Sequence, residues 1–259
     1  MSAPDWNPES YAAFADVRLR PAADLLAAVG PLPDKGPVVD LGCGAGAAGA
    51  LLRARAAGRA LVGVDLSPAM LERARATGAY DDLMQADAAD WAPSAPPALI
   101  FSNALLQWVP DHTRHIARLV GALASAGWLA VQMPRQMLAP SHALLRSIAA
   151  RLFPDLFDFS QWQPPVPAPP QYADALRGLG DLTLWETEYF QTLAPVAQGH
   201  PVRHFTQSTA MRPITLRLDA KQRDALVAAY DAALAQAYPA QADGRILFPF
   251  KRLFFTIRR

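Results

Sequence analysis

The chain has 259 residues, 52% hydrophobic and 18% charged, enough to bury the core of one α/β domain with additions. Its 24 basic side chains stand against 23 acidic ones, a net charge of +1, which excludes the global field that gathers nucleic acid or an anionic membrane. A single cysteine, Cys43, excludes an internal disulfide; with no basic-then-apolar leader at Met1 to Trp6 and no apolar run of about 18 residues, the composition reads as a cytoplasmic protein.

Val38-Val39-Asp40-Leu41 is short, apolar and β-branched and runs into glycines, the pattern of a buried parallel strand followed by a tight turn. Ala45 to Ala56, rich in Ala, Leu and Arg, reads as a helix, and Ala60 to Val64 repeats the strand pattern, completing one βαβ unit. Ser67-Pro68 offers an N-cap and a favoured first helical residue ahead of the apolar stripe Met70, Leu71 and Ala74. Asp82 to Gln85 is a weak strand, Leu99 to Ser102 a good one, His112 to Leu123 a helix and Trp128 to Met133 another strand. This alternation specifies an α/β fold with a parallel, doubly wound sheet. From Pro134 to Gln171 the rhythm breaks into one helix, Ser141 to Leu152, and a proline-rich stretch. Pro93 to Pro97 and Pro164 to Pro170 read as connections, because missing N–H donors interrupt helix and central strand. Asp181 to Tyr189 reads as strand, Ala220 to Tyr238 as a long helix and Arg252 to Ile257 as a closing strand.

The chemistry concentrates after three successive strands. Asp40-Leu41-Gly42-Cys43-Gly44-Ala45-Gly46 puts Gly42, Gly44 and Gly46 at a strand-to-helix turn, where absent Cβ atoms let a ligand lie against the backbone. Gly44, Gly46 and Gly49 also satisfy the G-x-G-x-x-G spacing of a dinucleotide site, so a NAD-dependent oxidoreductase is the competing reading. Asp40 opposes it, since a carboxylate repels a pyrophosphate but stabilises the cationic amino-acid end of S-adenosylmethionine. Asp65 can accept hydrogen bonds from both ribose hydroxyls, as it would for either cofactor, and Asp87 can accept one from an adenine amino group. Each acid alone reads equally well as a helix cap or a solvated loop residue; the three in order form the signal.

The segments Val-Val-Asp-Leu-Gly-Cys-Gly-Ala-Gly, Gly-Val-Asp-Leu-Ser-Pro-Ala-Met-Leu and Gln-Ala-Asp resemble the first three motifs of class I S-adenosylmethionine-dependent methyltransferases. More narrowly, Phe101 to His112, Trp6-Asn7-Pro8, Arg18 to Ala22, Val131 to Pro134, Met211-Arg212-Pro213, Asp243-Gly244-Arg245 and Phe248 to Arg259 resemble trans-aconitate methyltransferases, so the likeness runs through nearly the whole chain. The resemblance implies a Rossmann-like, mostly parallel sheet of seven strands in a single methyltransferase domain, with a cofactor-binding core over about residues 36–134. It also implies helical lid additions over the pocket at Ser10 to Val29 and between Arg135 and Tyr238. S-adenosylmethionine is the implied cofactor, held by Asp40, Gly42, Gly44, Gly46, Asp65, Leu66, Asp87 and Ala88, with Asn103, Gln107 and Trp108 lining its pocket; Gln107 and Trp108 also read as packing beneath the fourth strand. The sequence departs from the family pattern at Arg135-Gln136, at Val17 and at Ala210.

An ionised carboxylate attacks a sulfonium methyl without a catalytic base, so alignment and exclusion of water suffice, and neither a catalytic residue nor a metal is assigned. The implied partner is a small polycarboxylate such as trans-aconitate, and Arg18, Arg20 and Arg212 are the candidates for its carboxylates, each reading otherwise as a surface or salt-bridging residue. His112 and His142 read as caps or surface residues and carry no assigned role. A malonyl thioester on a carrier protein is the neighbouring alternative, and nucleic acid and membrane are not expected as partners.

Overall fold

The structure, a computed structural model, describes residues 15–56, 58–207 and 209–259. The start of the helix expected from Ser10 and the segment Trp6-Asn7-Pro8 lie outside the described residues, as do the side chains of Val17 and Arg18. The elements follow in the order α1 (Ala15–Ala27), β1 (Val38–Leu41), α2 (Gly49–Ala56), β2 (Leu61–Asp65), α3 (Pro68–Ala76), β3 (Asp82–Gln85), β4 (Leu99–Asn103), α4 (His112–Ala122), β5 (Trp128–Pro134), α5 (Pro140–Leu152), α6 (Pro169–Ala175), β6 (Asp181–Leu193), α7 (Pro201–Gln207), α8 (Arg212–Thr215), α9 (Ala220–Ala237) and β7 (Ile246–Arg258).

The seven strands form one sheet in the order β3-β2-β1-β4-β5-β7-β6. β3, β2, β1, β4 and β5 are mutually parallel, while β7 runs antiparallel to β5, which bears out a mostly parallel, doubly wound α/β architecture. The central strands are apolar because helices cover both faces of a parallel sheet: β1 is buried throughout and β4 for four of its five residues. By contact density the chain resolves into two compact units. One comprises the described residues up to Pro134 with Pro165–Thr187 and Arg252–Arg259; the other comprises Arg135–Pro164 and Glu188–Lys251.

In the first unit Val39, Leu41, Ile100, Leu129 and Val131 of the sheet bury against Ile116, Leu119 and Val120 of α4 and against Tyr172 and Leu176 of and beside α6. Each such side chain contributes roughly 1.5–3 kcal/mol of transfer free energy. The Ser67 hydroxyl accepts from the Met70 N–H at 3.4 Å, so α3 starts at the cap the sequence marks. In the second unit α5 packs on α9, where the Tyr230 hydroxyl donates to the Ser141 carbonyl at 2.5 Å and the Ser141 N–H donates to the Tyr238 hydroxyl at 3.0 Å. Among the described residues no helix is long and apolar enough to cross a membrane.

Several boundaries differ from the sequence reading, and β6 for one runs on to Leu193 where Tyr189 is the expected end. α2 begins at Gly49 and not at Ala45, because Gly42, Gly44 and Gly46 adopt positive φ and carry the chain through successive turns that a right-handed helix cannot contain. The stretch Pro164 to Pro170 is not wholly a connection: Pro169 and Pro170 open α6, where the ring presets φ and no N–H is needed. β7 reaches back to Ile246, with β6 as its outer neighbour in the sheet, and Gln136 donates to the Pro249 carbonyl at 2.8 Å and accepts from the Lys251 N–H at 2.9 Å along this added length. The departure at Gln136 is therefore a buried structural residue.

Candidate active site

The sheet order reverses between β1 and β4, the position where open α/β sheets leave a crevice at the carboxyl ends of their strands. The glycine turn after β1 and the Ala104–Trp108 turn after β4 flank that position. The three glycines differ in what surrounds them. A Cβ on Gly42 would meet the Leu105 side chain at 2.7 Å, and one on Gly46 would meet the Ala74 Cα at 3.1 Å, so these two admit neighbouring parts of the protein. A Cβ on Gly44 would meet nothing within 4 Å, so of the three only this glycine presents backbone to open space.

The three acids sit on three adjacent strands or just past them, in different environments: Asp40 within β1, Asp65 as the last residue of β2 and Asp87 two residues beyond β3. Asp40, 2% exposed, ends its side chain on the Tyr80 hydroxyl, which donates to Oδ2 at 2.7 Å. Burial pushes the Asp40 carboxyl up to about 7; the Tyr80 bond works against the rise and the charge of Asp65 adds to it. Asp65 ties the turn together: Oδ2 accepts from the Gly44 N–H at 2.9 Å and Oδ1 from the Ser67 N–H at 2.9 Å. Each carboxylate oxygen retains a lone pair for a ligand hydroxyl. Asp87 is exposed and its Oδ1 accepts from the Ala89 N–H at 2.9 Å, while Ala88 is buried. Leu66 is largely exposed beside Asp65.

At the end of β4 the Asn103 Oδ1 and the Gln107 Oε1 are buried with no hydrogen-bond partner, and the Gln107 Nε2 is committed to the Ala104 carbonyl at 2.7 Å. Orphaned acceptors of this kind cost about 1–3 kcal/mol each unless a ligand supplies donors. With Asp40 and Asp65, the surround is acidic and rich in acceptors, suited to a ligand carrying a cation and hydroxyls and unsuited to a pyrophosphate. Trp108, 50% exposed, is not packed beneath the strand.

Of the three arginines proposed for the substrate, the structure describes the surroundings of Arg20 in most detail. Arg20 is exposed on α1 and pairs with Asp24 at 2.8 Å, 72% of its side chain open to solvent. Arg212 lies on α8 in the second unit, and the Arg18 side chain is outside the described residues. Sequence reasoning missed Tyr80, whose partner is 40 residues away. It missed Arg118 of α4, which donates to the carbonyls of Ala88, Ala89 and Trp91 and so fixes the loop behind Asp87. It also missed the pair Gln132 and Arg252, although an arginine opening the otherwise apolar run Leu253-Phe254-Phe255 was a signal.

A family model described as a methyltransferase domain matches residues 11–176. The chain is 43% identical over 259 residues to a trans-aconitate 2-methyltransferase of Methylobacterium nodulans, covering 98% of each chain. It is 42% identical over 261 residues to the trans-aconitate 2-methyltransferase of an Azoarcus species, covering 99% of this chain and 100% of that one. Its fold is similar to that of a phosphoethanolamine N-methyltransferase 2 of Haemonchus contortus solved with S-adenosyl-L-methionine. The TM-score is 0.52 at 17% identity, covering 92% of this chain and 52% of that one.

Proposed function

The chain belongs to the trans-aconitate 2-methyltransferase family, and from that premise we propose that it transfers the methyl group of S-adenosylmethionine to a carboxylate of trans-aconitate. The observation that carries the reading within the fold is the acceptor-rich crevice, where Asp40, Asp65, Asn103 Oδ1 and Gln107 Oε1 lie about a glycine turn that is open only at Gly44. These residues fit the cofactor: Asp40 and the two orphaned amide oxygens suit its ammonium group, Asp65 its ribose hydroxyls, and Asp87 with Ala88 and Leu66 its adenine. Trp108 closes the pocket from its solvent side. When bound, the cofactor would supply an already electrophilic methyl on its sulfonium, so that an ionised carboxylate oxygen of the acceptor could take it with the carbon–sulfur electron pair returning to sulfur. The protein's own task is alignment and exclusion of water, and orientation of this kind supplies about 7–11 kcal/mol of the barrier.

Arg18, Arg20 and Arg212 are assigned to the acceptor's remaining carboxylates. The whole chain acts as one methyltransferase, with residues 135–238 contributing the elements that cover the acceptor, and it works in the cytoplasm on a small molecule without nucleic acid or membrane. The nicotinamide-dependent alternative loses its support, since the turn offers acidic acceptors where a pyrophosphate needs donors. Transfer of labelled methyl to trans-aconitate, with citrate, isocitrate and a malonyl carrier protein in parallel, tests the reading. Label in a trans-aconitate ester is the expected result, and label only on the carrier protein would overturn the substrate while retaining the donor.

A further inference from the structure

The glycine spacing that matches a dinucleotide site has a different neighbour in this fold. In such a site the second glycine lets a pyrophosphate approach the backbone and the third lets helix and strand pack closely. Gly46 and Gly49 hold those places here, and the ring of Tyr80 lies against both. A Cβ on Gly46 would meet the Tyr80 Cε2 at 3.2 Å, one on Gly49 would meet the same atom at 2.9 Å, and one on Gly63 of β2 would meet the Cδ1 at 3.0 Å. Each distance is shorter than ordinary van der Waals contact, so three glycines make the room in which the ring sits.

The seat is held from behind. The Arg53 guanidinium of α2 donates to the Ala79 carbonyl at 2.9 Å and to the Asp81 carboxylate at 2.6 Å, the residues on either side of Tyr80. The Asp81 Oδ2 also accepts from the Leu61 N–H at 2.7 Å. From this seat the Tyr80 hydroxyl donates to the Asp40 Oδ2 at 2.7 Å. Burial and the charge of Asp40 hold the phenol well above its ordinary range, so it stays an O–H donor.

Strand alternation turns Val39 and Leu41, with the helix α4 that covers them, to the other face of the sheet. On the Asp40 face β2 brings Asp65, two residues past Gly63, which is in register with Asp40, and β4 brings no charge. The turn brings Cys43, whose thiol burial keeps neutral. Of the α2 cations, Arg53 is engaged as above and Arg55 donates to the Gly30 carbonyl; Glu72, Arg73 and Arg75 of α3 are exposed. Against burial and the charge of Asp65, the Tyr80 bond favours the ionised form of Asp40.

Resting on the reading of Asp40 as partner of the cofactor's ammonium group, we infer that Tyr80 is a positioning residue of the cofactor site, holding the Asp40 carboxylate for that group. It acts through Asp40 and is not a catalytic residue. Its loss therefore changes the pH at which the cofactor binds well, which a purely structural role would not do.

Calorimetric binding of S-adenosylhomocysteine, which carries the same ammonium group, to wild-type and Tyr80→Phe proteins from about pH 6 to 9 tests the inference. The substitution removes only the hydroxyl, and the ratio of the two affinities cancels titration of the ligand's own amine. Without its donor Asp40 ionises at higher pH, so Tyr80→Phe should bind several-fold more weakly at about pH 6 and approach wild type by about pH 9. A ratio that is constant with pH, whether near one or not, would overturn the inference. In an Asp40→Asn background the same substitution should give a flat ratio, and a slope that persists there would overturn it too. If Asp40→Asn alone binds the ligand as wild type does at about pH 8, the ammonium reading falls and the cofactor role of Tyr80 with it. The hold of Tyr80 on Asp40 is read separately in the cofactor-free proteins. Stability linked to a raised carboxyl is lost as pH rises through its folded value, so Tyr80→Phe should move the fall in urea midpoint to higher pH. An unmoved fall would overturn the hold itself.

Discussion

Asp65 carries two loads that a single substitution separates. Its oxygens hold the Gly44 and Ser67 N–H groups, and the same carboxylate is the proposed ribose acceptor. Asp65→Ala should weaken S-adenosylmethionine binding by about 1.5–3 kcal/mol, a factor of roughly 10 to 150, and lower the urea midpoint as well. Asp65→Asn keeps one oxygen for the backbone and should recover part of the stability without the full affinity. Unchanged affinity in a folded Asp65→Ala protein would remove the ribose role. Asp40 makes a prediction with a definite sign. Its folded carboxyl titrates near 7 and the ordinary value is 3.8, so between those limits the native state binds the more protons. Its contribution is complete below about pH 4 and is lost as pH rises through 7, a change on the order of a few kcal/mol. In the cofactor-free protein, Asp40→Asn should flatten that fall in a series of urea midpoints from pH 5 to 8; an identical slope in the variant would refute the assignment. If Asp40 takes the proposed place beside the cofactor's ammonium, it would release its proton on binding, and donor affinity should rise with pH over the same interval.

At the scale of the element, the glycine turn sorts its residues by what each faces. Gly44 has a φ of 53° and open space, so Gly44→Ala pays only the left-handed penalty of roughly 1–2 kcal/mol while placing a methyl where ligand backbone contact is proposed. Gly42 has a φ of 79° and Leu105 within 2.7 Å of an added Cβ, so Gly42→Ala adds a clash to the same penalty. Thermal unfolding should therefore rank Gly42→Ala as the less stable protein. Calorimetry should find Gly44→Ala the poorer binder for its remaining stability. The reverse order in both measurements would mean that the turn does not face the cofactor through Gly44. The cap of α3 offers a smaller check, since Ser67→Ala should cost about 1 kcal/mol through the lost bond to the Met70 N–H.

For the molecule as a whole, the two compact units carry buried titratable groups of opposite sense. Asp40 in the first loses stability as pH rises. His142 in the second is held down to about 4 by burial and by the charge of Arg146, against an ordinary value of 6.5. Its native form binds fewer protons across that interval, so its contribution is complete above about pH 6.5 and is lost as pH falls toward 4. Amide exchange resolved by segment, corrected for intrinsic rates, should show protection of α5 and α9 falling between pH 6.5 and 4.5 while that of β1 and β4 holds or rises in the cofactor-free protein. A common slope in both sets of segments would show that neither group sets the local stability of its unit.

Much of this was written locally. The alternation of apolar strands with helices, the Ser67 cap, the acids at or just past β1, β2 and β3 and the glycine turn all follow from periodicity and turn chemistry over a few residues, and the fold and the residues of the candidate crevice were legible from them. The start of α2 was not, because helix propensity over Ala45 to Ala48 is overruled by three glycines whose positive φ holds the turn open. Nor were the pairings that give the site its character. Tyr80 with Asp40, Arg118 with the Ala88 loop, Gln136 with Pro249 and Gln132 with Arg252 join residues from 30 to 120 positions apart, and no local pattern encodes which distant donor meets which acceptor. The sequence by itself determined the order of the elements and the kinds of groups at the strand ends. Only the tertiary structure decided which glycine is open, which acid is desolvated and which arginine is buried, because exposure is a property of what the rest of the chain places around a residue.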